Sequence, residues 1–253
     1  MSGPCLLLTR PRQDSVALAE ELARYGVESL IEPMMTIRIV AESRLDLSGA
    51  QAILLTSANG ARALAATSPD EGARRLPVLA VGCATAQATR DAGFRSVATA
   101  DGDVDALATL ATARLDPDSG RLVHVAGRVS TGDLAPRLRA AGFEAERVPL
   151  YDALASRALS APARQALESQ ALAGAAFYSP RTARLFAKLA RESGLDSTAR
   201  TLTAFCLSQA VAEAAASLPW KRVSVAAAPR QDALVACVVS ALAPSLRAGE
   251  QRR

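Results

Sequence analysis

The chain has 253 residues, half of them hydrophobic but only 4% aromatic, with a formal net charge of +4. No apolar run approaches the roughly 20 residues of a membrane span, and neither G-x-G-x-x-G nor G-x-x-x-x-G-K-[ST] occurs, which disfavours a nucleotide-dependent enzyme. Cys5, Cys83, Cys206 and Cys237 stand singly, against a zinc site or a disulfide framework, and three lie in or beside apolar runs where a free thiol is a small buried hydrophobe. His124, inside RLVHVAG, is the only histidine, so a multi-histidine metal centre is excluded; a satisfied strand histidine is the simpler reading. The arginines are spread along the chain rather than gathered with aromatics, which fits a small anionic ligand better than nucleic acid. The arginine-rich end from Arg247 to Arg253 reads as a solvated tail. MSGPCLLLTRP has too short an apolar run and no basic start for a signal peptide, so a cytoplasmic protein without membrane contact is expected.

The elements alternate from the first residues. Cys5 to Thr9 reads as a buried strand and Ser15 to Tyr25 as a helix, with Leu18, Leu22 and Tyr25 on one face and Gly26 as its stop. Val27 to Val40 is an extended crossover interrupted by Pro33. Strand Ala52 to Thr56 with its helix, strand Pro77 to Val81, helix Ala84 to Ala92, a short strand at Val97 and helix Val104 to Arg114 follow, with DPDSG as the loop beyond. The series then recurs: strand Arg121 to Val125, helix Asp133 to Ala141, a crossover marked by Pro149, strand Ala173 to Tyr178 and helix Thr182 to Glu192. Strand Thr203 to Leu207, helix Gln209 to Ser217, strand Val223 to Ala227 and helix Asp232 to Leu242 complete it. This alternation predicts doubly wound parallel sheets.

The recurrence has a constant grammar. AILLTSANGARAL returns as AFYSPRTARLF, with Ser57 and Ser179 in matching turns 122 residues apart. Leu18, Leu22 and Gly26 answer Leu134, Leu138 and Gly142; Gly82 and Ala86 answer Ser208 and Ala212; Asp105, Ala106 and Leu107 answer Asp232, Ala233 and Leu234. Four pairs in register point to an internal duplication, with halves of about 1–118 and 119–247.

In doubly wound sheets ligands bind beyond the carboxyl ends of the strands, where helix N-termini offer free N–H groups. Those ends carry Arg10, Thr56, Ser57, Asn59, Gly82, Thr85, Gly127, Arg128, Ser179, Thr182 and Ser208. Ser, Thr and Asn are also preferred helix caps, so each alone fits capping as well as binding.

At these same ends the sequence resembles the uroporphyrinogen-III synthase family. LLTRP, SVALAEELARYG, LLTSANGARAL, VGCATA, VAGR, Pro149-Leu150-Tyr151, FYSPRTARLF and PRQDALVACVV carry the resemblance, in order over nearly the whole chain. It implies two flavodoxin-like α/β domains joined by a two-stranded linker: residues 1–33 plus 154–253, residues 38–149, and linkers at about 34–37 and 150–153. It also implies cofactor-free cyclisation of the linear tetrapyrrole hydroxymethylbilane, handed over by hydroxymethylbilane synthase to a monomer, into uroporphyrinogen III with ring D inverted and water lost. Such a substrate carries eight carboxylates and closes by itself to the wrong isomer, so orientation counts for more than a strong acid or base. The family tyrosine matches Tyr151, as proton donor to the departing hydroxyl; from position alone, an aromatic anchoring strand packing fits equally. This chain has Val211 where the family often has Thr, Ala126-Gly127 with Arg128 following where it has an Arg-Gly pair, and Tyr178 where Thr or Phe is usual. The alternative from another class is a two-lobed cytoplasmic protein that captures or senses small anions without turnover.

Overall fold

The computed structural model describes residues 3–40, 45–100, 102–129 and 134–250, with side chains to residue 243. In chain order it contains β1 (Cys5–Leu8), α1 (Arg12–Ala23), β2 (Glu28–Ile31), β3 (Met35–Ile39), β4 (Ala50–Leu55), α2 (Ala58–Ala66), α3 (Glu71–Arg75), β5 (Val78–Ala80), α4 (Cys83–Asp91), β6 (Val97–Thr99) and α5 (Val104–Arg114). After a 3-10 turn at Pro117–Ser119 come β7 (Arg121–Gly127), α6 (Leu134–Ala140), β8 (Ala145–Ala155), α7 (Ala161–Glu168), β9 (Leu172–Phe177) and α8 (Pro180–Glu192). A second 3-10 turn precedes β10 (Thr203–Cys206), α9 (Gln209–Ala215), β11 (Arg222–Val225) and α10 (Gln231–Glu250).

The chain divides into two compact units, Met1–Thr36 with Leu154–Arg253, and Ile37–Ala153. In the first, the sheet order is β11-β10-β9-β1-β2, every pair parallel. The leucines of β1 show why this strand lies at the centre. Leu7 packs with Phe177, Phe186 and Leu189 on one face, while Leu6 and Leu8 pack with Leu18, Leu22, Leu234 and Val238 on the other. Alternate residues of a strand point to opposite faces, so a fully apolar strand needs helices on both sides. Phe177, Phe186 and Trp220 form a small aromatic cluster with centroids 5.5 to 5.9 Å apart.

The second unit has the order β3-β8-β7-β4-β5-β6. Here Ile53 and Leu55 join Ala61, Leu64 and Val123, while Ala52 and Leu54 join Leu107, Leu122 and Leu138. β4 to β8 run parallel; at the edge, Met34 faces Ser156 and Val40 faces Leu150, so β3 and β8 run antiparallel.

Several sequence expectations shift. Tyr25, expected on the apolar face of α1, is 51% exposed, because the helix ends at Ala23 and the chain turns through Gly26 at φ +75°. Cys83 is exposed at the start of α4, and only Cys206 is fully buried. α3 and α7 form where no helix was expected. α7 starts from Ser160, whose hydroxyl accepts from the Ala163 N–H, with proline in the first turn. Asp133 lies outside the described residues, as do the side chains from Arg247 onward. No described helix is long and apolar enough to cross a membrane.

Candidate active site

In the second unit the carboxyl edge is organised by an irregularity in β8. Ala126 pairs with Pro149 but Gly127 pairs with Tyr151, so Leu150 is an extra residue. A bulge of this kind re-aims the side chains that follow it. Leu150 and Tyr151 accordingly both join Val148 in the core beneath α2. Tyr151 is 8% exposed, and its hydroxyl lies 2.8 Å from Ser57 Oγ. Ser57 Oγ also accepts the Gly60 N–H at 3.1 Å, capping α2. One serine thus joins the phenol to a helix N-terminus, where the backbone supplies partial positive charge.

Gly127 makes room for this arrangement. A Cβ there would stand 3.0 Å from Tyr151 Cε2 and 3.1 Å from Cζ, tighter than most such contacts, so the ring would have to give by a few tenths of an ångström. The Arg128 N–H donates to the Tyr151 carbonyl at 2.7 Å, which fixes the backbone after the bulge. The next side chain along the strand, Asp152, pairs with both Arg128 and Arg38.

Behind these groups, Thr56 Oγ1 lies 3.3 Å from His124 Nε2. Burial, aided by the Arg147 charge, pushes the His124 pKa down to about 4, so the imidazole is neutral at physiological pH. Nδ1 has no partner among the described residues, and the ring acts as strand packing rather than as a base. Asn59 accepts from Arg62 Nη1 at 2.9 Å within α2. Gly82 caps α4 with open space around it, and Thr85 is buried against the sheet at 4% exposure.

The first unit builds its edge differently. Ser179 caps α8 by accepting the Thr182 N–H at 3.2 Å and lies 3.1 Å from the Thr182 hydroxyl, which also donates to the Ser179 carbonyl. Thr182 is 7% exposed. Arg10 is largely enclosed: its guanidinium lies 4.3 Å over the Tyr178 ring, donates to Gln231 Oε1 at 2.8 Å and pairs with Asp14 at 3.2 Å. Gln231 in turn donates to Glu21 at 2.7 Å. Burial raises the Tyr178 phenol to about 12, with the Arg10 charge pulling the other way. Ser208 precedes α9 without capping it through its side chain. The residues sequence reasoning missed are Arg38 and Asp152; their one signal was complementary charge on the two crossover segments flanking Pro33 and Pro149.

A family model described as uroporphyrinogen-III synthase HemD matches residues 16–236. Among solved structures, a mutant uroporphyrinogen III synthase from the extremely thermophilic bacterium Thermus thermophilus is similar over 96% of this chain and 99% of its own, at 19% identity and a TM-score of 0.55. The uroporphyrinogen-III synthetase from Helicobacter pylori 26695 is similar over 85% of this chain and 93% of its own, at 15% identity and a TM-score of 0.60. At these identities the likeness is one of fold, an α/β fold with parallel sheets. A search of curated proteins by sequence gave no match. The family match, by contrast, runs through both units and across Ser57, Tyr151 and Ser179, and the chain therefore belongs to the uroporphyrinogen-III synthase family.

Proposed function

We propose that this family member catalyses the family reaction, closing hydroxymethylbilane to uroporphyrinogen III with ring D inverted and water lost, and that it does so mainly by orientation. The observation that carries the mechanism is the 2.8 Å contact between Ser57 Oγ and the Tyr151 hydroxyl at the start of α2. The phenol passes its proton to the departing hydroxyl, which leaves as water, while the Ser57 hydroxyl turns to donate to the phenolate. The new C–C bond forms at the ring D carbon that already bears the bridge, the bond from that carbon to the bridge breaks and re-forms at the free carbon of ring D, and that carbon then loses a proton, which restores the phenol. The net reaction is a dehydration with no redox change, so it calls for no redox cofactor.

Ser57, Asn59, Gly82, Gly127 and Arg128 in one unit, and Ser179 and Ser208 in the other, are the groups we assign to substrate. Arg10, Thr56, Thr85 and Thr182 support the turns that present them. A monomer in the cytoplasm receiving its unstable substrate directly from hydroxymethylbilane synthase suits this chemistry.

We also infer that the chain arose by duplication with exchange of parts. The five parallel strands of each sheet follow the order 2-1-3-4-5 when counted within the repeat, the first two coming from one half of the chain and the rest from the other. The β1–β2 register from Cys5–Glu28 to Leu8–Ile31 has its counterpart in β7–β8 from Leu122–Ala145 to Val125–Val148. On this reading residues 34–37 and 150–153 connect domains 1–33 plus 154–253 and 38–149.

The test is to generate hydroxymethylbilane in situ with the preceding deaminase, add the protein, and separate the oxidised products into isomers. Dominant isomer III is expected; isomer I alone, at the uncatalysed rate from folded protein, removes the synthase reading. Orientation predicts that Tyr151→Phe slows closure less than Ser57→Ala or Ser179→Ala. Loss of all activity in Tyr151→Phe with both serine variants intact would reverse that ranking.

A further inference from the structure

Two arginines from different segments converge on one carboxylate at the edge that carries Tyr151. Asp152 Oδ2 accepts from Arg38 Nη2 at 3.1 Å, and Oδ1 lies 3.2 Å from Arg128 Nε. The Asp152 side chain is 12% exposed, the arginines 65% and 62%. A third guanidinium, on Arg147, donates to the carbonyls of Gly127 and Arg128 and adds positive charge at the same end of β7.

The nearly buried Asp152 carboxylate needs a cationic partner, but two arginines exceed that need, and with both guanidinium ends exposed the second pair contributes only about 0 to 1 kcal/mol. A guanidinium has five N–H donors, and Asp152 engages one on each arginine, so the pair retains donors suited to bidentate capture of a second carboxylate. Asp152 limits the rotamers of both side chains, which lowers the entropy lost when an anion binds.

We propose that Arg38 and Arg128, positioned by Asp152, form a receptor for one side-chain carboxylate of the linear tetrapyrrole. This rests on the proposed function and deepens it: the receptor fixes one arm of the substrate one residue along β8 from Tyr151. Asp152 is a positioning residue, and Arg38 is a substrate contact that sequence reasoning did not identify.

Steady-state kinetics with hydroxymethylbilane made in situ test the assignment. Arg38→Ala and Arg128→Ala are expected to raise KM about tenfold each, equivalent to roughly 1.4 kcal/mol, with kcat reduced less than about twofold and isomer III still dominant. Arg38→Lys should recover part of the affinity, and wild-type KM should rise with salt more steeply than that of Arg38→Ala. Asp152→Ala should raise KM as well. An unchanged KM in Arg38→Ala and Arg128→Ala, with only melting temperature altered, overturns the receptor and leaves the synthase reading in place. A lower KM in Asp152→Ala overturns the positioning role, because it would show Asp152 competing with the ligand. Isomer I alone from the wild type would instead remove the underlying function.

Discussion

Ser57 and Ser179 open matching turns and cap their helices alike, yet they keep different company. Ser57 meets a tyrosine hydroxyl delivered by the bulge in β8, whereas Ser179 meets the threonine of its own helix. The arginines at the two edges diverge in the same way. Arg10 is closed in by Asp14, Gln231 and Tyr178, while Arg128 stays 62% exposed beside Asp152. A similar turn therefore caps a helix twice, and distant side chains decide what each serine meets.

The comparison can be broken most severely at Gly127. Gly127→Ala should displace the Tyr151 ring and lower activity by as much as about 10²-fold, with the circular dichroism spectrum retained; Gly72→Ala, on the exposed helix α3, should leave activity within about twofold. If both behave alike, the ring's seating on Gly127 is not what positions the phenol.

The next largest effect is on acid stability. His124 folds neutral with a pKa near 4 against an unfolded value of 6.5. The unfolded chain binds the proton first, so stability present above pH 6.5 is lost as pH falls towards 4, on the order of 3 kcal/mol for this buried group. Denaturant titrations between those values should show the loss, and His124→Phe should flatten it; an unchanged slope would rule the histidine out as its source.

A smaller effect separates the two serines. Each change to Ala should cost about 1 kcal/mol of stability through the lost cap. A double-mutant cycle should then find Ser57→Ala coupled to Tyr151→Phe by roughly 0.5 kcal/mol or more, and Ser179→Ala additive with Tyr178→Phe. Coupling in both pairs would mean that the edges are more alike than their contacts indicate.

A further effect, closer in size to that of His124 than to those of the serines, lies at high pH. Tyr178 is held protonated to about 12, above the ordinary 10, so the unfolded chain deprotonates first and stability declines as pH rises from 10 to 12. Tyr178→Phe should remove that alkaline slope without changing the isomer ratio.

Much of this was legible in the sequence because it is local. Strands such as CLLL and AILL announce themselves by being wholly apolar, and Ser57 and Ser179 by preceding helical patterns. The α7 start is also legible, in Ser160 with a proline two residues on. What could not be read depends on closure between distant segments. Ser57 reaches Tyr151 across 94 positions, and only an extra residue in β8 turns that ring towards it. Arg10 is legible as a cation at a strand end, but its partner Gln231 lies 221 positions later.

The strand order of the two sheets also sets a timetable for synthesis. β1 and β2 leave the ribosome first, but β1 must wait for β9, which begins at Leu172, 141 positions after Ile31. At about 5 to 20 residues per second that delay is roughly 7 to 28 s. Meanwhile β4 to β8 emerge without interruption and can complete their own sheet. The nascent chain thus carries a finished domain while its first apolar strand, CLLL, has β2 on one side and still lacks β9 on the other, and that open edge is where a chaperone would be needed.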